Sequence, residues 1–166
     1  MKPRYLTKLR FVSAIDCPTK LFYIGKKEYR NLNNEDSFLA SLAQGGYQVG
    51  SLAKFLFKDG IEIVDKSHEA SLKITEELLK KDNVVIFEAA IKFNYFFIRV
   101  DILEKKGDQL RIYEAKAKSY NSLLPDMEGA RGGIKPEYLS YLQDIAFQTW
   151  VLQQAFPKSE ISSFLV

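Results

Sequence analysis

Three stretches in the middle of the chain carry the β signal, apolar residues recurring every second position. They are "NVVIFEAAI" (83–91), "YFFIRVDIL" (95–103) and "QLRIYEAKAK" (109–118). Each is rich in β-branched and aromatic residues, as strands are. The links between them, "KFN" and "EKKGD", are short. Short links join antiparallel neighbours, so the pattern predicts a three-strand meander. Around it the spacing changes to three and four, the period of a helix. "SFLASLAQGGYQVGSLAKFLF" (37–57) reads as a helix that Gly45-Gly46 kinks or splits. "SHEASLKITEELLKK" (67–81) has an N-cap in Ser67 and lysines in its last turn. "PEYLSYLQDIAFQTWVLQQAF" (136–156) opens on a proline, which suits the first turn of a long helix. Residues 5–24 hold two short helical patterns broken at Pro18.

The remaining pieces are two loops, a turn and two short strands. Residues 31–36 and the three-glycine segment 121–135 are loops, and Asp59-Gly60 is a turn before a strand at 61–64. "ISSFLV" (161–166) is a last strand; because it follows a helix, it should lie parallel to its neighbour. The fold class expected is α/β (α+β): a mixed central sheet with a three-strand antiparallel meander, flanked by helices. An apolar strand at the very end suggests that residues 1–166 form a single domain, the N-terminal part of a longer protein.

Composition narrows the function classes. The 166 residues are 46% hydrophobic and 27% charged, enough apolar material for one domain with a real core. A net charge of +3 permits a polyanionic partner without requiring one. Cys17 is the only cysteine, which rules out an intrachain disulfide and a multi-cysteine zinc site. "MKPRYLTKLR" is basic but precedes no apolar signal core, and no apolar run has the length of a membrane span. These features predict a cytoplasmic protein with no membrane partner.

Charged residues interrupt all three central strands. Glu88 lies in the first on the face of Val84 and Ile86, Asp101 follows Val100 in the second, and Glu114 and Lys116 close the third. Adjacent strands lie about 4.8 Å apart, so such groups can converge. Asp101 and Glu114 need not stand directly opposite, and a bend or bulge is expected to bring them together. Converging carboxylates make a hard oxygen site for Mg²⁺ or Mn²⁺, suited to a phosphodiester. Lys116 adds a positive charge that offsets the cost of clustering them.

The order Glu88, Asp101, Glu114-Ala115-Lys116 on three consecutive strands resembles the PD-(D/E)XK nuclease superfamily. The RecB-like branch, which includes the CRISPR-associated exonucleases, is the nearest likeness. "RVDIL" matches the aspartate motif, "YEAKAKS" the E-x-K motif, and "AFQTWVL" supplies the branch's helical glutamine as Gln148. "FVSAIDCPTKLFY", "GYQVGSLAKFLF", "IFEAAI" and "YLQDIAFQTWVL" together look like an uncharacterised family of longer bacterial RecB-like nucleases. The resemblance implies a restriction-endonuclease-like fold and an Mg²⁺- or Mn²⁺-dependent nuclease. Asp101 and Glu114 would be the principal metal ligands, with the Ala115 carbonyl beside them and Glu88 as a third acidic group. Lys116 would activate water or stabilise phosphate, and Gln148 would orient the others.

The sequence departs from that pattern at two places. Gly50 stands where the branch often has a ligand histidine, and Leu152 where a tyrosine follows the glutamine. His68, the only histidine, is a candidate substitute ligand. Cys17 could be an iron–sulfur ligand only in a longer chain, because a cluster takes four thiolates and this chain has one. Nucleic acid, DNA rather than RNA, is the implied partner, with Lys118, Arg131 and Lys135 flanking the site. Lys20, Lys26, Lys27 and Arg30 form a second basic cluster, and Tyr113, Tyr120 and Phe93 are candidates for base stacking. The alternatives are a catalytically inactive nucleic-acid-binding or scaffold module with this fold, and an unrelated α/β interaction domain with solvated strand ends.

Overall fold

The computed structural model describes residues 4–29, 36–65, 67–118, 127–129 and 131–166. It is a six-stranded mixed sheet flanked by helices. The expected meander is present as β3 (Asn83–Phe93), β4 (Phe96–Lys106) and β5 (Gln109–Glu114), antiparallel throughout. β6 (Glu160–Leu165) returns after the long helix α5 (Pro136–Ala155) and pairs parallel to β5. β2 (Ile61–Glu62) lies parallel to β3 on the other edge. The turn before β2 needs its glycine, since a Cβ on Gly60 would stand 2.0 Å from the Phe87 ring.

The sequence pattern did not anticipate β1 (Leu6–Thr7), which is too short to show a period. It pairs parallel to β4, Leu6 with Phe96 and Thr7 with Phe97. β3 runs along one whole edge of β4, so β1 and β5 must share the other. β1 takes its start and β5 its end, from Ile102 onwards. Asp101 therefore stands at the gap between them.

Pro18 separates α1 (Lys8–Asp16) from α2 (Lys20–Tyr23), as the sequence predicts. Thr7 caps α1 by accepting the Arg10 N–H. α3 (Ser37–Lys54) is continuous across Gly45-Gly46, so the two glycines do not split it. Its three glycines, Gly45, Gly46 and Gly50, cost the helix about 3 kcal/mol, which the other fifteen residues and the Asp36 cap offset. α4 (His68–Leu78) begins at its Ser67 cap as expected.

The main core lies on one face of the sheet, where Ile86, Ile98, Val100, Leu103 and Ile112 meet Phe147, Val151 and Leu152 of α5. A smaller cluster of Ala53, Phe87 and Ile102 lies on the other face. Along β3, Val84 and Ile86 belong to the main core, yet so do Ala89 and Ile91. The alternation reverses at Glu88, whose φ of 60° lies in the left-handed region. β4 reverses at the same level, with Val100 and Leu103 both in the main core. Glu88 thus does not simply continue the face of Val84 and Ile86. Two residues later the Ala90 N–H donates to Thr75 Oγ1 of α4 at 2.9 Å, and Thr75 donates to the Ser71 carbonyl at 2.8 Å. That buried chain ties α4 to the strand beside the irregularity.

Candidate active site

Asp101 and Glu114 are brought together by strand register, with no inserted residue. Ile102 pairs with Tyr113, and the next position along places Asp101 across from Glu114. The β4–β5 ladder stops one pair short of them, and Asp101 Oδ2 instead accepts the Ala115 N–H at 2.9 Å. The expected bulge is therefore not what joins these two acids. The local irregularity sits on β3, where Phe87–Ile102 and Ala89–Val100 bracket Glu88 and Asp101 without those two pairing.

β5 ends at Glu114, four residues before the sequence pattern ends its strand. Lys116 lies past it, yet its N–H still bonds the Val166 carbonyl at 2.8 Å. The Lys116 ammonium donates to Glu114 Oε1 and to Asp144 Oδ2, both at 2.7 Å. Gln148, 1% exposed, spans the same two carboxylates from the other side. Its Nε2 donates to Glu114 Oε2 at 2.9 Å and to Asp144 Oδ1 at 3.1 Å. Its Oε1 is buried without a partner.

Two members of this cluster escaped the sequence reading. Asp144 lies one helical turn before Gln148, so it shares that residue's face of α5; the spacing in "QDIAFQ" was the available signal. Lys8 follows β1 directly, and its ammonium donates to Glu114 Oε1 at 2.5 Å, with Asp144 Oδ2 at 3.6 Å. It carries no local sequence signal, because 106 residues separate it from Glu114.

The charges divide the two strand acids into different roles. Burial pushes Asp101 up to about 6, and the Glu114 charge adds to it, against Lys8 and the Ala115 N–H. Glu114 also suffers burial, but Lys8 and Lys116 outweigh it and hold its carboxyl below the usual range. Burial pulls the Lys116 amine down, while Glu114 and Asp144 more than compensate, so its pKa is raised. The same balance raises Lys8, with Asp101 also contributing. Glu114 is thus the fixed anion, and Asp101 the acid whose charge is open to adjustment.

The other candidates lie around or outside this cluster. Glu88 faces solvent at its side-chain end, 39% exposed, 3.6 Å from Arg99 Nε. It adds slightly to the field at Asp101. His68 is not among the site carboxylates; its ring packs at a tilt against Phe97, with centres 4.2 Å apart, and meets Tyr5 edge-on. Phe97 precedes Asp101 by four strand residues, about 13 Å at the strand rise. Cys17 is a free thiol at the end of α1, lowered in pKa by hydrogen bonds from Thr19. Gly50 lies in α3, where an added Cβ would meet nothing within 4 Å.

A cleft of about 600 Å³ opens beside Lys116, lined also by Lys118, Tyr138, Tyr141 and Phe164. The Lys118 ammonium sits 4.2 Å from the Tyr138 ring centre. Lys135 caps α5 and Arg131 is exposed nearby in sequence. Of the second basic cluster, Lys20 pairs with Asp16 and Lys26 covers the Phe22 ring, while Arg30 lies outside the described residues, as does the stacking candidate Tyr120. Tyr113 is not free to stack on a base, being packed between Phe57 and Phe164 and bonded to Glu104. Phe93 meets Trp150 edge-on.

Among the described residues, no group of three or more His, Cys, Asp or Glu side chains is arranged to hold a metal ion. Two ammonium groups stand between the carboxylates instead. The donor atoms themselves suit a hard cation: Asp101, Glu114 and Asp144 offer carboxylate oxygens, whereas Gln148 turns its amide nitrogen to Glu114 and Asp144 and its unpartnered oxygen away from them. None of the described helices is long and apolar enough to cross a membrane. Comparison of the chain with family models, curated proteins and solved structures gives no match.

Proposed function

We propose that this chain is a metal-dependent nuclease domain that hydrolyses phosphodiester bonds, with DNA as its substrate. The observation that supports this reading is the meeting of Asp101, Glu114, Lys116 and Gln148. They come from β4, β5, the segment after it and α5, and their side chains and neighbouring backbone join in one network. Asp101 and Glu114, with the Ala115 carbonyl and Asp144, would hold Mg²⁺ or Mn²⁺, which supplies a water of lowered pKa and charge neutralisation at phosphate.

The chain's own residues have assigned tasks. Against burial, Glu114 and Asp144 raise the Lys116 pKa in the metal-free protein, which favours its ammonium form. Its role is to donate hydrogen bonds to a phosphate oxygen and stabilise charge there. Gln148 fixes the Glu114 carboxylate, and the Ala115 N–H fixes Asp101. The adjacent cleft, with Lys118 at its wall, receives the substrate strand.

Purified protein given Mn²⁺ or Mg²⁺ should degrade DNA oligonucleotides, and Lys116→Ala should abolish this. Equal cleavage by both proteins removes the assignment. The second reading is an inactive nucleic-acid-binding module, favoured by the ammonium groups among the carboxylates and by Gly50. Calorimetry separates the two, since an inactive module has no metal site dependent on Asp101 and Glu114.

A further inference from the structure

Lys8 stands in an unusual position for a residue of an N-terminal helix. Its ammonium lies on Glu114 Oε1 and close to Asp144, and its charge reaches Asp101 as well. Those are the three carboxylates that would surround a divalent cation. Lys116 already satisfies Glu114 Oε1 and Asp144 Oδ2, so Lys8 adds a second ammonium to the same oxygens. Three carboxylates and two ammonium groups leave a single excess negative charge, whereas a resident Lys8 and a divalent ion together would reverse its sign. A flexible lysine stem on the first turn of α1 can withdraw, because its side chain is 31% exposed.

We propose that Lys8 occupies the cation position itself, so that Lys8 docking and divalent metal binding exclude one another. This rests on the metal-dependent reading above and adds a residue that gates it. Docked Lys8 keeps the carboxylates paired in the metal-free protein. Metal arrival releases its ammonium toward the open side of the site, where it is placed to meet the phosphates of a nucleic-acid strand. If Lys8 is docked in nine molecules of ten, the apparent metal affinity is about tenfold below the intrinsic one.

Mn²⁺ titration by calorimetry on wild type, Lys8→Gln and Asp101→Asn tests this. The expected result is binding to wild type, about tenfold tighter binding to Lys8→Gln, and loss in Asp101→Asn. Equal affinity of wild type and Lys8→Gln overturns the gating role while leaving the metal site intact. No binding to either overturns both. A second measurement needs no variant: acylation of lysines in the wild-type chain, read by peptide mass. Mn²⁺ should raise modification of Lys8 several-fold relative to exposed Lys73. Unchanged Lys8 modification at saturating Mn²⁺ overturns the proposal.

Discussion

Glu114 and Asp144 are joined twice, on one side by the Lys116 ammonium and on the other by the Gln148 amide. Each bridging group takes one oxygen from each carboxylate. The orientation of Gln148 follows from this, since turning its amide over would set a carbonyl oxygen against two anions. Its own Oε1 then points away and stays unpaired in a buried place.

Replacing Gln148 by Ala should therefore destabilise the protein by about 2–4 kcal/mol, because two buried carboxylates each lose a donor. Urea denaturation measures it. A loss under about 1 kcal/mol would mean that the amide bridges contribute little beyond packing.

Asp101 gives the protein a distinctive pH response. Its pKa is raised by burial and by Glu114, so the protonated form is the one the fold favours. Its contribution is present below its ordinary value of 3.8 and is lost as pH climbs through about 6. Asp101→Asn should thus gain stability over wild type by about 1–2 kcal/mol at pH 7.5, after solvent screening, and much less at pH 4. Thermal melts of the metal-free proteins at the two pH values check the sign. Glu114 works in the opposite sense, its contribution being present at neutral pH and lost on acidification.

The left-handed conformation of Glu88 makes an inverted prediction. In a regular strand glycine is worse than alanine, but at φ 60° the Cβ carries the cost. Glu88→Gly should be about 1 kcal/mol more stable than Glu88→Ala. Chemical denaturation of both variants decides it, and the reverse order would mean that position 88 does not hold this conformation in solution.

Thr75→Val keeps the side-chain shape but leaves the buried Ala90 N–H without its acceptor. The expected cost is about 1–3 kcal/mol. Amide hydrogen exchange at Ala90 should accelerate by more than at Ile98, which has no such tether.

Much of this arrangement was legible before any coordinates. The meander follows from period-two runs with links too short for a crossover, and β6 lies parallel to its neighbour as its position after a helix requires. Asp101, Glu114, Lys116 and Gln148 were readable because each breaks an apolar pattern that demands a partner. Lys8 was not, since β1 is two residues long and makes its pairing through distant β4. Nor was the reversal at Glu88, because a glutamate carries no signature of positive φ. His68 was a candidate only as the lone histidine, and its ring packs against Phe97 and Tyr5.

The span between Lys8 and Glu114 also bears on how the site is assembled. A pairing across 106 residues joins the start of the chain to its later half, and no contact local in sequence can hold it. Any motion that frees the edge of the first helix from β4 unlatches the cluster while leaving the β3–β5 meander intact, so a protease cutting near residue 20 should report on the integrity of the site.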